Sequence, residues 1–344
     1  MNSLDLLRYA LARQYLLTQT GRMEVISELC GLQAQFANNP RYSLLLRAND
    51  FSDATWDTGL IKIWTHRNTM HLIRADELGL YLSAKDAAGP FTESFWGIPV
   101  EVKPFWAHFL CGQIANGIAE REALKDACRR RGMDEALVGK VFNGWGGLLK
   151  EMSDRGMIAY APGTQKRFIL PPKPQWMDRD EARTLLIRRY FTHYGPATAE
   201  DCAAFFGYPW RELRPLLRQI LPSLQEQDGY YYTGELAPVS VPRCLYLTGF
   251  DPLIMGYKNR DRLFKPRDRR MVINEAGIVF PTILYRNQLR ARWKKTPGRL
   301  TITPFYPLSN TAQDAMATTG RRLFNDRSLQ IEFTKPLQAL EKGE

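Results

Sequence analysis

The first 90 residues alternate between segments with helical and with extended hydrophobic patterns. Leu4–Leu17 repeats apolar side chains every three or four positions, and Ser3 is placed to cap this predicted helix. Met23–Leu32 has the same spacing, and a third apolar run covers Tyr42–Leu46. A further short helix is predicted over Asp53–Leu60. The N-terminal segment therefore predicts several short helices before any strand.

A β-hairpin is predicted directly after these helices. Ile61–Thr65 and Met70–Ile73 are rich in β-branched and aromatic residues, and the four residues from His66 to Thr69 join them. Ala75–Lys85 then returns to helical spacing. Three helices followed by a hairpin are typical of a winged helix.

The same order of elements recurs twice along the chain. The second copy has helices predicted over 103–117, 119–131 and 134–154, the last containing the glycines 144, 146 and 147, and then a hairpin over 157–170 with its turn at Gly163-Thr164. The third copy has helices over 180–193 and 210–220, with a helix between them that Thr198 caps and Asp201 completes as a capping box. Its hairpin, 224–234, turns at Asp228-Gly229.

From Arg243 onward the pattern predicts mainly strands. Segments 244–250, 270–285, 289–295 and 299–308 alternate apolar and polar residues, a helix is predicted over 311–324, and a last strand over 329–333. The polar tail after Lys335 is expected to fray. The predicted fold class is α+β, with winged-helix units at 1–95, 96–175 and 176–240 and a small β-rich basic domain at 241–344.

Composition and charge limit the classes of partner that this protein is expected to bind. The 344 residues carry a net charge of +11 and a pI of about 9.4, which favours polyanions, with nucleic acid first and an anionic membrane surface second. The five cysteines include no C-x-x-C pair, and the four histidines lack metal-ligand spacing, so neither a metal nor another cofactor is predicted. No apolar run approaches the roughly 20 residues of a membrane span.

Basic residues concentrate in the β-rich region. Between Lys258 and Lys295, twelve basic residues face only three acidic ones, and Trp293 lies among the last group. A basic strip with an aromatic residue suits a phosphate backbone. The alternative interpretation is a solvated face of the β-domain.

Gln33 and Gln35 form the most distinctive polar pair in the chain. Two residues apart on a continuous helix, their side chains point to different faces. They serve one site only if the helix ends there, and Pro40 is predicted to supply that ending. The alternative interpretation is a polar turn whose amides meet water.

Four motifs together resemble the winged-helix DNA glycosylases of the AlkZ/YcaQ type. They are GLQAQ with the following Pro-Arg-Tyr, THRNTMHLIRADEL, YGPATAEDCAAFFG, and GFDPLIMGYKNR followed by GIVFPTILYRNQLRARWKK. The resemblance spans nearly the whole chain and implies three tandem winged-helix units with a C-terminal β-domain around a DNA-binding concavity. Asn68 is a departure, since glycine is common in that hairpin turn.

The resemblance implies a function for the glutamine pair. Gln33-Ala34-Gln35 matches the branch of the family with Gln-x-Gln at the catalytic position, which is associated with bulky or crosslinked N7-alkylated purines. Glutamine has no useful pKa, but it positions water, and a base that is already cationic leaves without an acid. The implied activity is that of a monofunctional DNA N-glycosylase with catalytic Gln33 and Gln35.

The implied partner is double-stranded DNA containing alkylated bases. The residues expected to contact it are Asn38, Arg41, Arg67, Asn68, Thr69, His71, Lys166, Arg167, Lys258, Arg260, Arg290, Arg292 and Lys294. A monomer acting in the bacterial cytoplasm, on the nucleoid, is expected. The alternative is a non-catalytic winged-helix protein, either a transcription regulator or a binder of damaged DNA.

Overall fold

The chain folds into two compact units. The structure, a computed structural model, describes residues 1–87, 89–93, 96–144, 146–163, 166–236 and 239–340, with only the backbone described at 339 and 340. The first unit comprises residues 1–33, 39–56 and 187–344, and the second comprises 34–38 and 57–186. Helices and sheets occur in both, so the fold is mixed α and β. No helix in the described ranges is long and apolar enough to cross a membrane.

The first two N-terminal helices are shorter than the hydrophobic pattern predicts, and the third is longer. The elements are α1 (Ser3–Arg13), α2 (Arg22–Glu28), the short strand β1 (Leu32–Gln33) and α3 (Asn38–Arg47). The cap of α1 is Asn2, whose side chain accepts a hydrogen bond from the Asp5 backbone, so the prediction of Ser3 was wrong. The helix predicted to reach residue 32 ends at Glu28, because Cys30 and Gly31 adopt left-handed conformations with φ of 57° and 80°.

The described residues of the second unit include four strands of an antiparallel sheet, the helices α4 to α8 and the first part of α9 (Arg179–His193). Its elements in chain order are β2 (Leu60–Trp64), β3 (Met70–Arg74), α4 (Leu78–Ala84), α5 (Lys103–Ala115), α6 (Arg121–Arg130), α7 (Glu135–Val141), α8 (Gly147–Asp154), β4 (Ala159–Tyr160) and β5 (Phe168–Ile169). The strands lie in the order β3-β2-β4-β5. The two predicted hairpins are confirmed, although Thr164 in the second turn lies outside the described residues. The helix predicted over Asp53–Leu60 was wrong, since that segment forms turns.

The single helix predicted over 134–154 was also wrong, because the helix is interrupted between α7 and α8. Gly147 has a φ of 72°, and a Cβ atom there would lie 2.2 Å from the Lys140 carbonyl oxygen. A Cβ atom on Gly146 would lie 2.0 Å from the Trp96 indole nitrogen. Both positions therefore require glycine, and Leu148, Leu149 and Met152 of α8 are free to pack into the core of the second unit.

The remaining elements belong to the first unit, apart from the first residues of α9. They are α9 (Arg179–His193), α10 (Ala199–Phe206), α11 (Trp210–Ile220), β6 (Gln225–Gln227), β7 (Tyr230–Tyr232), β8 (Cys244–Leu247), α12 (Pro252–Met255), α13 (Arg269–Val272), β9 (Thr282–Tyr285), β10 (Gln288–Thr296), β11 (Arg299–Pro304), α14 (Asn310–Leu323), β12 (Gln330–Phe333) and α15 (Leu337–Leu340). The Thr198–Asp201 capping box and the β6–β7 hairpin are confirmed. The expected fraying of the tail concerns in part residues 341–344, which are not described.

The C-terminal sheet has the order β12-β11-β10-β9-β8. Its core contains Tyr246, Ile283, Leu300 and Ile302, packed against α14. The start of the strand predicted over 270–285 was wrong, because residues 269–272 form α13. Only β9 remains of that strand.

A buried ion pair joins two segments of the first unit that are distant in sequence. The guanidinium of Arg47 donates to both carboxylate oxygens of Asp251, at 2.7 and 3.3 Å, and both side chains have no exposed surface. Arg47 also donates to the Gln14 carbonyl and the Ser43 hydroxyl, and Asp251 accepts from the Thr248 and Leu253 backbone. All the surrounding polar groups thus support the pair, which a buried charge requires.

Candidate active site

Gln33 and Gln35 lie at and just after the end of a short strand rather than at the end of a helix. Gln33 closes β1 and is 9% exposed, whereas Gln35 lies in a bend and is exposed. Pro40 lies in the first turn of α3, so the prediction that it ends a helix was wrong. The strand ends at Gln33, so the two amides differ in environment although they are only two residues apart. The Ala34 backbone N–H donates to the Met70 carbonyl at 2.8 Å and holds the segment at the start of β3.

Gln35 lines a cavity of about 650 Å³ within the second unit, referred to below as the Gln35 cavity. Its described lining residues include five basic side chains and four aromatic ones and no aspartate or glutamate. The basic residues are Lys62, Arg121, Lys150, Lys166 and Arg167, and the aromatic residues are Phe36, Trp64, Tyr160 and Phe168. The cavity therefore combines an amide, flat apolar surfaces and excess positive charge.

The four-stranded sheet supplies one wall of the Gln35 cavity. Lys62 and Trp64 alternate along β2 and face the cavity, while the intervening Ile63 is fully buried on the other face. Met70 pairs with Trp64 across the hairpin, and Tyr160 of β4 pairs with Lys62. The period of two along the strand thus separates the core residues from the cavity residues.

The break between α7 and α8 supplies a second wall. Asn143, Gly144 and Gly146 line the cavity there, so the segment that defeats the helix prediction also shapes the site. Lys150, one turn into α8, is bound by Asp154 at 2.6 Å, and its ammonium lies 5.7 Å from the Trp64 ring centre. Sequence reasoning missed these residues because no local pattern brings them together.

The hairpin turn before β3 has a strained conformation that its sequence accommodates. Arg67 and Asn68 have φ values of 53° and 52°. Asparagine tolerates the left-handed region better than most residues, which explains how Asn68 stands where glycine is common. Arg67 and Thr69 are half-buried, Asn68 is exposed, and His71 is 2% exposed. His71 is thus placed to support the turn from within.

His71 and His66 form a buried, neutral pair beneath this turn. Their ring centres lie 4.0 Å apart, and burial lowers the pKa of His71 to about 3 and that of His66 well below its usual value. His71 Nδ1 lies 3.1 Å from the Thr69 carbonyl oxygen and 2.8 Å from Thr65 Oγ1. Because a carbonyl only accepts, the proton belongs on Nδ1.

This pair predicts a loss of stability in mild acid. In the unfolded chain both histidines take up protons below about pH 6.5. In the folded chain burial opposes this uptake, at His71 until near pH 3, and it lowers the pKa of His66 well below its usual value. The stabilisation that comes from the neutral pair should therefore be fully present above pH 6.5. Below that pH, the free energy of unfolding should fall by up to about 1.4 kcal/mol per pH unit for each histidine. Denaturant unfolding of wild type and His71→Gln between pH 7 and 4.5 measures it.

The matched control is His108→Gln, since His108 is exposed. We expect the slope of stability against pH to decrease in His71→Gln and to stay as in wild type in His108→Gln. Equal slopes in all three proteins would contradict a neutral buried pair.

The other predicted DNA contacts divide between the two units. In the second unit, Lys166 and Arg167 are exposed and line the Gln35 cavity, and Asn38 is exposed at the start of α3. In the first unit, Arg41 pairs with the exposed Asp53, while Lys258 and Lys294 are exposed. These six side chains are on surfaces that a ligand can reach.

Some of the predicted basic strip is committed to the protein itself. Arg292 donates to the Met271 and Arg270 carbonyls at 2.7 and 2.8 Å and stacks on Phe280, and Arg260 donates to the Ile254 carbonyl at 2.8 Å. Trp293 is 4% exposed and donates to the Leu247 carbonyl, so its predicted place beside a phosphate backbone was wrong. The strict alternation along β10 puts it in the core.

Arg290, by contrast, lines a second cavity of about 630 Å³ that lies wholly in the first unit. Other basic residues of the strip line the same cavity, namely Arg262, Lys265, Arg267 and Arg286. Asp261 and Asp268 are its acidic lining residues, and Asp268 accepts a hydrogen bond from Tyr306 at 2.5 Å. Five of the twelve basic residues of the strip therefore line one concave surface.

Residues suited to a metal ion are not grouped in the described part of the chain. No cluster of three or more histidine, cysteine, aspartate or glutamate side chains with ligand geometry occurs there. All five cysteines are free, and four of them are buried.

Comparison with known proteins identifies the class to which this fold and cavity belong. The structure superposes on that of the Streptomyces sahachiroi DNA glycosylase AlkZ with a TM-score of 0.77, covering 97% of this chain and 100% of that chain at 24% identity. An interstrand DNA cross-link repair glycosylase from Streptomyces sahachiroi is 27% identical over 331 aligned residues, covering 86% of this chain and 89% of that protein. The family model for AlkZ-like DNA glycosylases matches residues 26–325. This chain belongs to the AlkZ-like DNA glycosylase family.

Proposed function

We propose that this protein hydrolyses the N-glycosidic bond of cationic N7-alkylated purines in double-stranded DNA. The observation that carries the proposal is the Gln35 cavity, in which an amide faces a basic and aromatic lining and the described lining residues include no carboxylate. The related Streptomyces protein is named for repair of interstrand cross-links, and we extend bulky adducts and cross-links to this chain as candidate substrates. We further propose that it acts as a monofunctional, monomeric glycosylase.

The chemistry follows from what an amide is able to do. A glutamine side chain does not take a proton near neutral pH, but its carbonyl oxygen accepts a hydrogen bond from water and orients it. The same oxygen stabilises positive charge that develops on the sugar as the bond breaks. We assign the water to Gln35, which is exposed to the cavity, and the sugar or the water to the more buried Gln33.

The positive charge of the substrate replaces the acid catalyst that the described lining of the cavity lacks. An N7-alkylated guanine carries a positive charge and departs as a neutral base, so no acid needs to protonate it. A neutral base such as uracil departs as an anion and gains nothing from this arrangement. The proposal therefore predicts selectivity for cationic lesions.

Several further assignments stay proposals. The three winged-helix units at 1–95, 96–175 and 176–240, and the β-rich domain at 241–344, are the proposed DNA-binding architecture. The exposed Lys166, Arg167, Lys258 and Lys294, with Arg290, are the proposed backbone contacts, and Asn68 and Arg67 at the hairpin turn are proposed to meet the duplex. The buried His71 is assigned the support of that turn.

The test is release of free base from defined duplexes. We expect the purified protein to release N7-methylguanine, and a bulkier N7 adduct, from duplex DNA, as measured by mass spectrometry of the free base. A duplex with uracil at the same position is the control. Equal or faster release of uracil would overturn the mechanism, and tight binding without release of any base would favour a DNA-binding protein.

A further inference from the structure

Two of the cations that line the Gln35 cavity are bound only to neutral groups of the protein. Lys62 Nζ donates to the Gly163 carbonyl at 3.2 Å, and the Arg121 guanidinium donates to the Phe142 carbonyl. Within the described residues neither has a carboxylate within ion-pair distance. Lys150, by comparison, is paired with Asp154. The charges of Lys62 and Arg121 are therefore left for a ligand to neutralise.

The fold brings these two cations and Tyr160 to one cavity. Lys62 lies opposite Tyr160 in the β2–β4 register, and Arg121 opens α6. Burial raises the pKa of Tyr160, a hydrogen bond with Trp64 and the charge of Arg121 lower it, and the charge of Asp154 raises it. The neutral Tyr160 hydroxyl thus lines the cavity together with both cations.

Lys62 is also partly buried, which distinguishes it from a freely solvated surface lysine. Its stem lies on the cavity face of a central strand, so the ammonium is partly withdrawn from water, and burial lowers its pKa. A half-desolvated ammonium bonded to one carbonyl keeps two donors for an anion. Arg121 likewise keeps most of its five donors.

The charge of each part of the substrate indicates which group these donors bind. A cationic purine does not neutralise two cations, since like charges repel. A phosphodiester does, because its two free oxygens accept charge-assisted hydrogen bonds from ammonium and guanidinium groups. The cavity is also large enough for more than a base alone, at about 650 Å³.

We propose that Lys62 and Arg121, with the Tyr160 hydroxyl, bind a phosphodiester group next to the damaged nucleotide in the Gln35 cavity. This inference rests on the proposed function, because it places the lesion in the same cavity. The pair holds the nucleotide by its backbone, which is the same for every base. Gln35 and the aromatic lining are then left to distinguish the damaged base.

The experiment measures binding to DNA from which no base is released. The probe is a duplex containing a tetrahydrofuran abasic analogue, made either with natural phosphates or with a neutral methylphosphonate 5′ or 3′ to the analogue. The variants are Lys62→Met and Arg121→Met. The matched control is Lys140→Met, since Lys140 also donates to a backbone carbonyl, that of Gly97 at 3.0 Å, but does not line the cavity.

We expect Lys62→Met and Arg121→Met each to weaken binding of the natural duplex by about tenfold, the loss of one charge-assisted contact. One methylphosphonate position removes both contacts and should weaken wild type and Lys140→Met by about 100-fold. The same position should weaken Lys62→Met and Arg121→Met by only about tenfold, because one of the two contacts is already lost. Lys62→Arg should restore the binding, and thermal unfolding checks that each variant is folded.

A further readout is the salt dependence of affinity. The slope of log affinity against log salt should fall by about 0.9 for each phosphate contact removed. If the cavity variants lose affinity equally on natural and methylphosphonate duplexes, or bind as wild type does, the phosphate pair is overturned. The probe carries no base, so absence of base release in the excision assay would leave this result unchanged, and the two proposals fail separately.

Discussion

Replacing Gln35 with alanine is expected to slow base release by about 100-fold in single-turnover reactions, while DNA affinity changes by less than about threefold. The size is that of one preorganised contact to the transition state. A contact made only in the transition state lowers the rate and leaves binding intact. Gln35 is exposed to its cavity, so its truncation leaves the core untouched.

Two companion variants make this result specific. Gln33→Ala should also slow release, and because Gln33 is 9% exposed, its thermal unfolding must be measured alongside. Gln113→Ala replaces a partly exposed glutamine of α5 outside the cavity and should act as wild type. Undiminished release by Gln35→Ala would remove the amide from the mechanism.

Gln35→Glu separates orientation of water from proton abstraction. A carboxylate of the same length also accepts a hydrogen bond from water, and it takes a proton as well. We therefore expect release by Gln35→Glu to become pH-dependent, falling in acid as the carboxylate protonates, whereas wild type lacks that limb. The same pH dependence in both proteins would show that a different group controls the reaction.

Breaking the buried pair between Arg47 and Asp251 is expected to produce the largest loss of stability. Arg47→Met leaves a carboxylate with no exposed surface and no cation, and such changes cost about 3–5 kcal/mol. Denaturant unfolding, with the midpoint and slope both fitted, measures the loss. The exposed pair of Arg41 with Asp53 is the control, and Arg41→Met should cost no more than about 1 kcal/mol.

The double variant Arg47→Met with Asp251→Leu tests the cause. When both charges are removed and apolar groups fill the space, a buried pair is often replaced with little net cost. We expect the double variant to be more stable than Arg47→Met alone. A double variant that loses the sum of both single effects would mean that the contacts to Gln14 and Thr248, rather than the unpaired charge, set the cost.

Sequence patterns predicted elements whose signals are local. The turn at Asp228-Gly229 and the capping box at Thr198 are each set by neighbouring residues, and the structure confirms both. The helix Trp210–Ile220 was predicted with the observed ends, because its apolar spacing is regular and Pro209 precedes it.

The wrong predictions occur where residues distant in sequence determine the local structure. The glycines at 146 and 147 read as tolerable within a helix until Trp96 and the Lys140 carbonyl are seen beside them. Trp293 has charged neighbours in sequence, but alternation along β10 buries it. The spacing of Gln33 and Gln35 was interpreted as a helix end, but the left-handed Cys30 and Gly31 end the helix earlier, and Gln33 lies in a short strand.

The cavity itself was not predictable from any one segment. Its lining comes from β2, α6, α8, β4 and the β5 hairpin as well as from the glutamine segment. Lys62 and Arg121 are separated by nearly sixty positions, and no motif relates them. Of the residues that line the cavity, the sequence pointed to Gln35 through the family resemblance and to Lys166 and Arg167 through their charge on the predicted hairpin.

The division of the chain into segments sets the order in which it is able to fold during synthesis. The first unit needs residues 1–33 and 39–56 together with 187–344, whereas 57–186 belong to the second unit. At about 5–20 residues per second, the ribosome takes on the order of ten seconds to make the intervening stretch. Until Asp251, which caps α12, emerges, Arg47 lacks the counter-ion that it has in the folded protein, and the N-terminal helices have apolar surface exposed. The second unit is fully synthesised once residue 186 has been added, so it is able to fold during that delay. The N-terminal segment is therefore the part of the chain on which a chaperone would act most usefully.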